Sequence, residues 1–139
     1  MKLNKNWLLA GLITLMGVVP AAADDLTGAD EFLCSGLFAN RCFADGDCVS
    51  GTPQQWNIPQ FIIFDLEDMM LRTTEASGLN RQTPIENMKR DGGWIFLQGV
   101  EMGRAFSFAI DEKSGDMTAA VAHEGVAVAA FGVCTPVAD

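Results

Sequence analysis

Arg104-Ala105-Phe106-Ser107-Phe108-Ala109-Ile110-Asp111 alternates strictly. Phe106, Phe108 and Ile110 share one side, and Ala105, Ser107, Ala109 and Asp111 share the other. A period of two with one apolar side is the pattern of a strand with one buried face. Turn signals bracket it at Glu101-Met102-Gly103 and Lys113-Ser114-Gly115-Asp116, and recur at Asp91-Gly92-Gly93 and His123-Glu124-Gly125. Glycines 92, 103, 115 and 125 are spaced by 11, 12 and 10 residues. Strands separated by turns at intervals of about 8–12 residues form an antiparallel meander.

Working outward, Trp94-Ile95-Phe96-Leu97 is a continuous apolar run, as expected of a strand buried on both faces. Met117 to Phe131 is rich in alanine, which favours helix. Gly125 in its middle and the Val-Ala alternation from Val126 to Ala129 favour two strands instead. Upstream, Phe61-Ile62-Ile63-Phe64, a turn at Glu67-Asp68, and Met69 to Thr74 read as a hairpin. Glu31 to Ala44 supplies a first strand. Ser50 to Pro59 and Ala76 to Gln82 read as loops, with Trp56 placed to cover the core as a lid. Asp24 to Asp30 reads as a loose N-terminal arm. The expectation is an all-β domain of seven or eight antiparallel strands, curled into a small closed or nearly closed barrel that protects its edges.

Lys2 and Lys5, the 13-residue apolar run Trp7 to Val19, Pro20 and Ala21-Ala22-Ala23 have the order of a cleavable secretory signal. The run is too short to cross a bilayer as a helix, which takes about 20 residues. Residues 1–23 are therefore expected to be removed and 24–139 to form a single domain, periplasmic or secreted. Such a compartment is oxidising, so Cys34, Cys42, Cys48 and Cys134 are expected to form disulfides. Four cysteines allow three pairings. The turn-rich stretch Phe43-Ala44-Asp45-Gly46-Asp47 favours Cys42–Cys48 across a hairpin. Cys34–Cys134 would then tie the first strand to the last. The spacing contains no C-x-x-C pair of the kind zinc sites use.

The chain carries 18 acidic and 9 basic residues. All the acidic residues and seven of the basic ones lie after residue 23, giving that part a net charge of −11. Nucleic acid and anionic lipid are disfavoured as partners, and a cationic protein is allowed. Strands of six to eight residues fall short of the roughly 9–11 that cross a bilayer in a membrane barrel.

Asn57-Ile58-Pro59, Leu97-Gln98-Gly99-Val100-Glu101, Phe106-Ser107 with Ile110-Asp111, and the ending Phe131-Gly132-Val133-Cys134-Thr135-Pro136 resemble a group of small exported proteobacterial β-rich proteins with no assigned function. The resemblance implies one exported domain and brings no activity with it.

Candidate chemistry is sparse. His123, the single histidine, sits beside Glu124 and Gly125 in a turn, where a general base would lack a partner nucleophile. Asp65, Glu67 and Asp68 form one carboxylate cluster, and Asp111, Glu112 and Asp116 form another. Paired carboxylates can serve glycoside hydrolysis, but turns also collect acidic residues for local reasons. Asp45-Gly46-Asp47 and the stretch from Asp111 to Asp116 offer oxygen ligands without the EF-hand pattern. Met69-Met70 and the remaining methionines read as core filling rather than a copper site. No cofactor, metal site or catalytic residue is expected. The function expected is a non-enzymatic binding or protein-interaction module. One alternative is a lipocalin-like carrier of a small apolar ligand, with Trp56, Phe106 and Phe108 near its mouth or core. A second is an inhibitor of a cationic envelope enzyme such as lysozyme, and a hydrolase is the enzymatic alternative.

Overall fold

A computed structural model describes residues 24–137. The signal segment expected at 1–23 lies outside the described residues. The chain is all-β, with ten antiparallel strands in one sheet. In order they are β1 (Glu31–Phe43), β2 (Cys48–Gly51), β3 (Phe61–Asp65), β4 (Met70–Thr73), β5 (Gln82–Pro84), β6 (Asn87–Asp91), β7 (Trp94–Glu101), β8 (Arg104–Asp111), β9 (Asp116–His123) and β10 (Val126–Pro136).

The sheet runs β5-β4-β3-β1-β10-β9-β8-β7-β6, with β2 as a side hairpin on β1. Its two ends, β5 and β6, are joined by only Ile85 and Glu86. The Ile85 N–H donates to the Met69 carbonyl beside β4, while the next N–H, from Glu86, donates to the Gln98 carbonyl of β7. One segment thus faces both flanks in turn, and the sheet curls into a nearly closed barrel. Where β5 passes the end of β7 no ladder forms. The approach there is close: a Cβ at Gly99 would stand 2.9 Å from the Pro84 carbonyl oxygen. The count exceeds the seven or eight strands expected for two reasons. The segment from 82 to 91 is split by its change of partner, and β2 was hidden in a stretch whose glycine and prolines signal a loop.

Inside, the period-two pattern operates as the sequence implies. Ile95, Leu97 and Ile110 are fully buried, and Phe106 and Phe108 nearly so. Phe32 stacks on Phe64 at 5.2 Å between ring centroids, and Phe64 meets Phe108 edge-on at 5.0 Å. Two sequence expectations are corrected. The run Trp94–Leu97 is not buried on both faces, since Trp94 and Phe96 are 40% and 41% exposed. One side of β7 faces the core and no second layer covers the other. The stretch Asp24–Asp30 is not a loose arm. Leu26 is fully buried, and its N–H donates to the Glu112 carbonyl, which tucks the arm under the barrel.

Both disulfides join residues directly opposite each other on paired strands. Cys34 bonds Cys134 between β1 and β10, and Cys42 bonds Cys48 between β1 and β2. The first bond therefore lies where the last strand closes on the first.

Candidate functional site

The two ends of the barrel differ in chemistry. At one end the chain from Thr52 to Gln60 folds over the opening. Pro53 starts a short 3-10 helix, Pro53–Trp56, and Asn57 ends it in the left-handed conformation at φ 58°. Asparagine tolerates that region better than most residues. Gly36 lets this lid sit tightly on β1, because a Cβ there would stand 3.0 Å from Pro53 Cγ. Trp56 and Ile58 are half-buried against the core. Trp56 thus occupies the lid expected for it.

A polar cluster holds the lid. The inward alternation of β7 ends on Glu101, and that of β8 begins on Arg104. Arg81 donates to both oxygens of Glu101, through Nε at 3.1 Å and Nη2 at 2.5 Å. Thr83, the buried polar residue of β5, donates its hydroxyl to Glu101 Oε1 at 2.7 Å. These bonds span β5 and β7 and stand in for the missing ladder. The guanidinium groups then reach outward. Arg81 Nη1 donates to the Asn57 carbonyl at 3.2 Å, and Arg104 Nη1 donates to the Trp56 carbonyl at 3.2 Å. One carboxylate thus organises two arginines, and they fasten the lid through its backbone.

Beneath the lid is a cavity of about 50 Å³, lined by Ile62, Leu71, Phe106, Phe108 and Val121 with the polar cluster above. That is room for a few water molecules, against about 300–1,000 Å³ for a typical ligand pocket. Outside the lid, an open groove of about 430 Å³ runs between Ile58, Pro59 and Phe61 on one side and Thr74 to Leu79 on the other.

The opposite end is acidic. Register brings together Asp24, Asp25, Asp30 and Glu31 from the N-terminal segment and the start of β1, and Asp65, Glu67 and Asp68 from the β3–β4 turn. It adds Asp91 from the end of β6, and Asp111, Glu112 and Asp116 from the β8–β9 turn. Arg72, Lys89, Arg90 and Lys113 are the basic residues among them, which leaves this end at −7. Arg72 is held by Asp65 at 2.7 Å and Asp68 at 2.8 Å. Arg90 donates to the Ala29 carbonyl, and its Nη1 lies 3.0 Å from Glu112 Oε1. That contact has ion-pair distance but lies off the hydrogen-bonding direction, so Oε1 has no hydrogen-bond partner. The two carboxylate clusters seen separately in the sequence thus form one surface. No family model, curated protein or solved structure matches the chain.

His123 is exposed at the end of β9, remote in register from this acidic surface. Among the described residues it makes no hydrogen bond or ion pair to a carboxylate. Asp45 and Asp47 lie on the exposed β1–β2 turn, where Asp45 Oδ1 accepts the Asp47 N–H at 3.1 Å. All four cysteines are bonded. Among the described residues no group of three or more His, Cys, Asp or Glu is placed to hold a metal ion. The lid cluster of Arg81, Glu101 and Arg104 was not anticipated. Its signal was available, because Glu101 and Arg104 extend the buried alternation of Leu97-Gly99 and of Phe106-Phe108, where a charge needs a partner.

Three carboxylates in these clusters are held below their ordinary values, Asp25 by its hydrogen bonds from the Thr27 side chain and backbone and Glu101 and Asp65 by the partners described next. At Glu101, burial pushes the pKa up, but the Arg81 and Thr83 hydrogen bonds and the two arginine charges outweigh it. At Asp65, the Asp68 N–H lowers the pKa, burial opposes it, and Arg72 lowers it further. All three groups bind a proton less readily in the folded chain than in the unfolded one. Their stabilisation is complete above the unfolded pKa, near about 4, and is lost as pH falls through the lower folded values. The thermal midpoint is expected to hold from about pH 7 to about 5 and to drop below about pH 4. Circular-dichroism melts across that range check this. E101Q and D65N should each flatten the acid limb, and an unchanged limb in both would remove these two groups as its cause.

Proposed function

We propose that the protein is an exported, non-enzymatic interaction module that presents its acidic end to a cationic protein partner in the periplasm or outside the cell. The observation that carries this reading is the gathering of eleven acidic side chains, from four separate segments, at one end of a rigid barrel. Like charge held together raises the local potential, which steers an oppositely charged partner and speeds encounter. Two disulfides fit an oxidising compartment, and no helix among the described residues is long and apolar enough to cross a membrane. A cationic envelope enzyme such as lysozyme belongs to the partner class proposed. The carrier alternative draws less support, because Phe32, Phe64 and Phe108 fill the interior and the remaining cavity is about 50 Å³. Grouping with the small exported proteobacterial proteins is likewise proposed, on the residue runs quoted above.

Binding to lysozyme and to basic proteins of a periplasmic extract, measured at low and at high salt, tests the reading. Affinity should fall steeply between about 50 mM and about 500 mM salt, as the screening length shortens. It should also fall in the triple variant D24N/E67Q/D116N, whose three side chains are exposed and make no ion pair among the described residues. Equal binding by the triple variant, or binding indifferent to salt, would count against the acidic end.

A further inference from the structure

The two disulfides differ in access and in what they hold. Cys34 and Cys134 are 1% and 5% exposed in the seam of β1 and β10, whereas Cys48 is exposed and Cys42 half-buried. The Cys42–Cys48 bond fastens β2, and β2 runs straight into the lid through Thr52. No side chain of β2 is buried, and β1 is its one strand neighbour. A four-residue outer strand of that kind has only ladder hydrogen bonds to set against its ordering entropy. Each returns little, because water makes the same bonds in its place. The exposed bond from Ser50 Oγ to Asn40 Oδ1, at 2.7 Å, adds little for the same reason. β2 in turn forms a wall for the lid tryptophan. A Cβ at Gly51 would stand 3.1 Å from Trp56 Cη2, so the indole lies against the end of β2. The Thr52 N–H donates to Gln55 Oε1 at 3.0 Å, which ties that end to the lid helix. Arg81 and Arg104 grip the lid farther along, at the Asn57 and Trp56 carbonyls. The stretch from Cys48 to Gln55 lies outside their hold, and Pro53 against Gly36 is its buried contact.

We propose that the Cys42–Cys48 disulfide is a redox-active site and the latch of the lid, opened by a dithiol reductant. A thiolate of the dithiol attacks the exposed Cys48 Sγ, forms a mixed disulfide and expels the Cys42 thiolate, which takes up a proton. The second thiol of the reductant gives up its proton and attacks its own chain's sulfur in the mixed bond. That expels the Cys48 thiolate, which is protonated in turn. The dithiol leaves as a disulfide, two electrons have passed to this chain, and Cys42 and Cys48 are thiols. Cys34 and Cys134 are closed to the same attack while the barrel is folded, because both are buried. With the clip cut, β2 peels from β1 and Gly51 leaves the indole. Trp56 then becomes accessible, together with the apolar mouth beneath it at Ile62 and Phe106. The change is reversible, because the turn between the two cysteines is bonded within itself. The Phe43 N–H donates to the Asp47 carbonyl at 2.9 Å, and the Asp47 N–H donates to Asp45 Oδ1 at 3.1 Å. These bonds keep the two thiols near each other for re-oxidation.

Titrating the folded, disulfide-intact W94F protein with dithiothreitol tests the proposal, since Trp56 is then the remaining tryptophan after residue 23. Alkylation followed by peptide mass spectrometry reads which bonds have opened. Cys42 and Cys48 should be labelled together while Cys34–Cys134 stays intact. Over the same range Trp56 emission should shift to the red and its quenching by acrylamide should rise, with the far-ultraviolet circular dichroism of the barrel retained. Oxidised glutathione should reverse both signals. W94F combined with C42A/C48A should show the open-lid emission without reductant and should not respond to it. Trp56 unmoved while Cys42 and Cys48 are labelled would overturn the proposal. So would simultaneous opening of both bonds, or a Trp56 response to dithiothreitol that persists in C42A/C48A. Should C42A/C48A fail to fold, the titration of the folded W94F protein decides alone.

Discussion

Replacing Cys34 and Cys134 together by alanine is expected to cost about 3–5 kcal/mol. The bond spans 100 residues, and the chain-entropy argument assigns about 4.7 kcal/mol to a loop of that length. Both cysteines are buried, so their removal also leaves a small void where β10 closes on β1. The double variant C42A/C48A is the internal control. Its bond spans only six residues, and the same relation gives about 2.2 kcal/mol. Urea unfolding under non-reducing conditions should rank the wild type above C42A/C48A, and that above C34A/C134A. Mild reductant should open the exposed Cys42–Cys48 bond first, because the other pair is shielded until the barrel opens. An equal loss from both double variants would mean that loop closure does not set the contribution of the long bond.

Removing the Glu101 carboxylate is expected to be the most damaging single charge change. In E101A, Arg81 loses both its carboxylate bonds, Thr83 loses its acceptor, and two guanidiniums face each other at the covered mouth. Breaking one partner of a buried ion pair costs about 3–5 kcal/mol. Here the arginine side chains are 19% and 16% exposed and keep their bonds to the lid carbonyls, so about 2–3 kcal/mol is expected. E101Q retains an acceptor oxygen and should cost less. The lid gives a separate readout. In a W94F background Trp56 is the remaining tryptophan after residue 23. E101A should then red-shift its emission and raise its accessibility to quencher at denaturant concentrations where the barrel is still folded. Loss of stability without any change at Trp56 would separate the cluster from the lid and leave it as a seam between β5 and β7 alone.

The β7–β10 meander was legible because each strand there carries its own evidence. Alternation names the buried face, and glycine turns fix where the chain reverses. The hairpin of β3 and β4 was legible on the same grounds, and the turn between Cys42 and Cys48 marked the short disulfide. Elements lacking a local signature were not. β2 has four residues, ends on Gly51 and is followed closely by Pro53, and β5 has three residues. Their pairing is dictated by neighbours distant in sequence. Leu26 gave no sign that it would be buried, since an isolated leucine in a polar stretch has no period. The exposure of Trp94 and Phe96 could not be read from an apolar run, because nothing local says whether a second layer exists to cover it.

The sequence by itself determined the all-β class, the meander, the acidic balance and the buried faces of the longer strands, because these depend on residues within one or two turns of each other. Tertiary structure decided what those residues do together. It put two separated groups of carboxylates on one end of the barrel and turned Glu101 and the two arginines into a clamp on the lid. Each of these depends on strand register. Register is fixed by closure of the whole barrel and by the packing of Phe32, Phe64 and Phe108 inside it, so no single segment contains it.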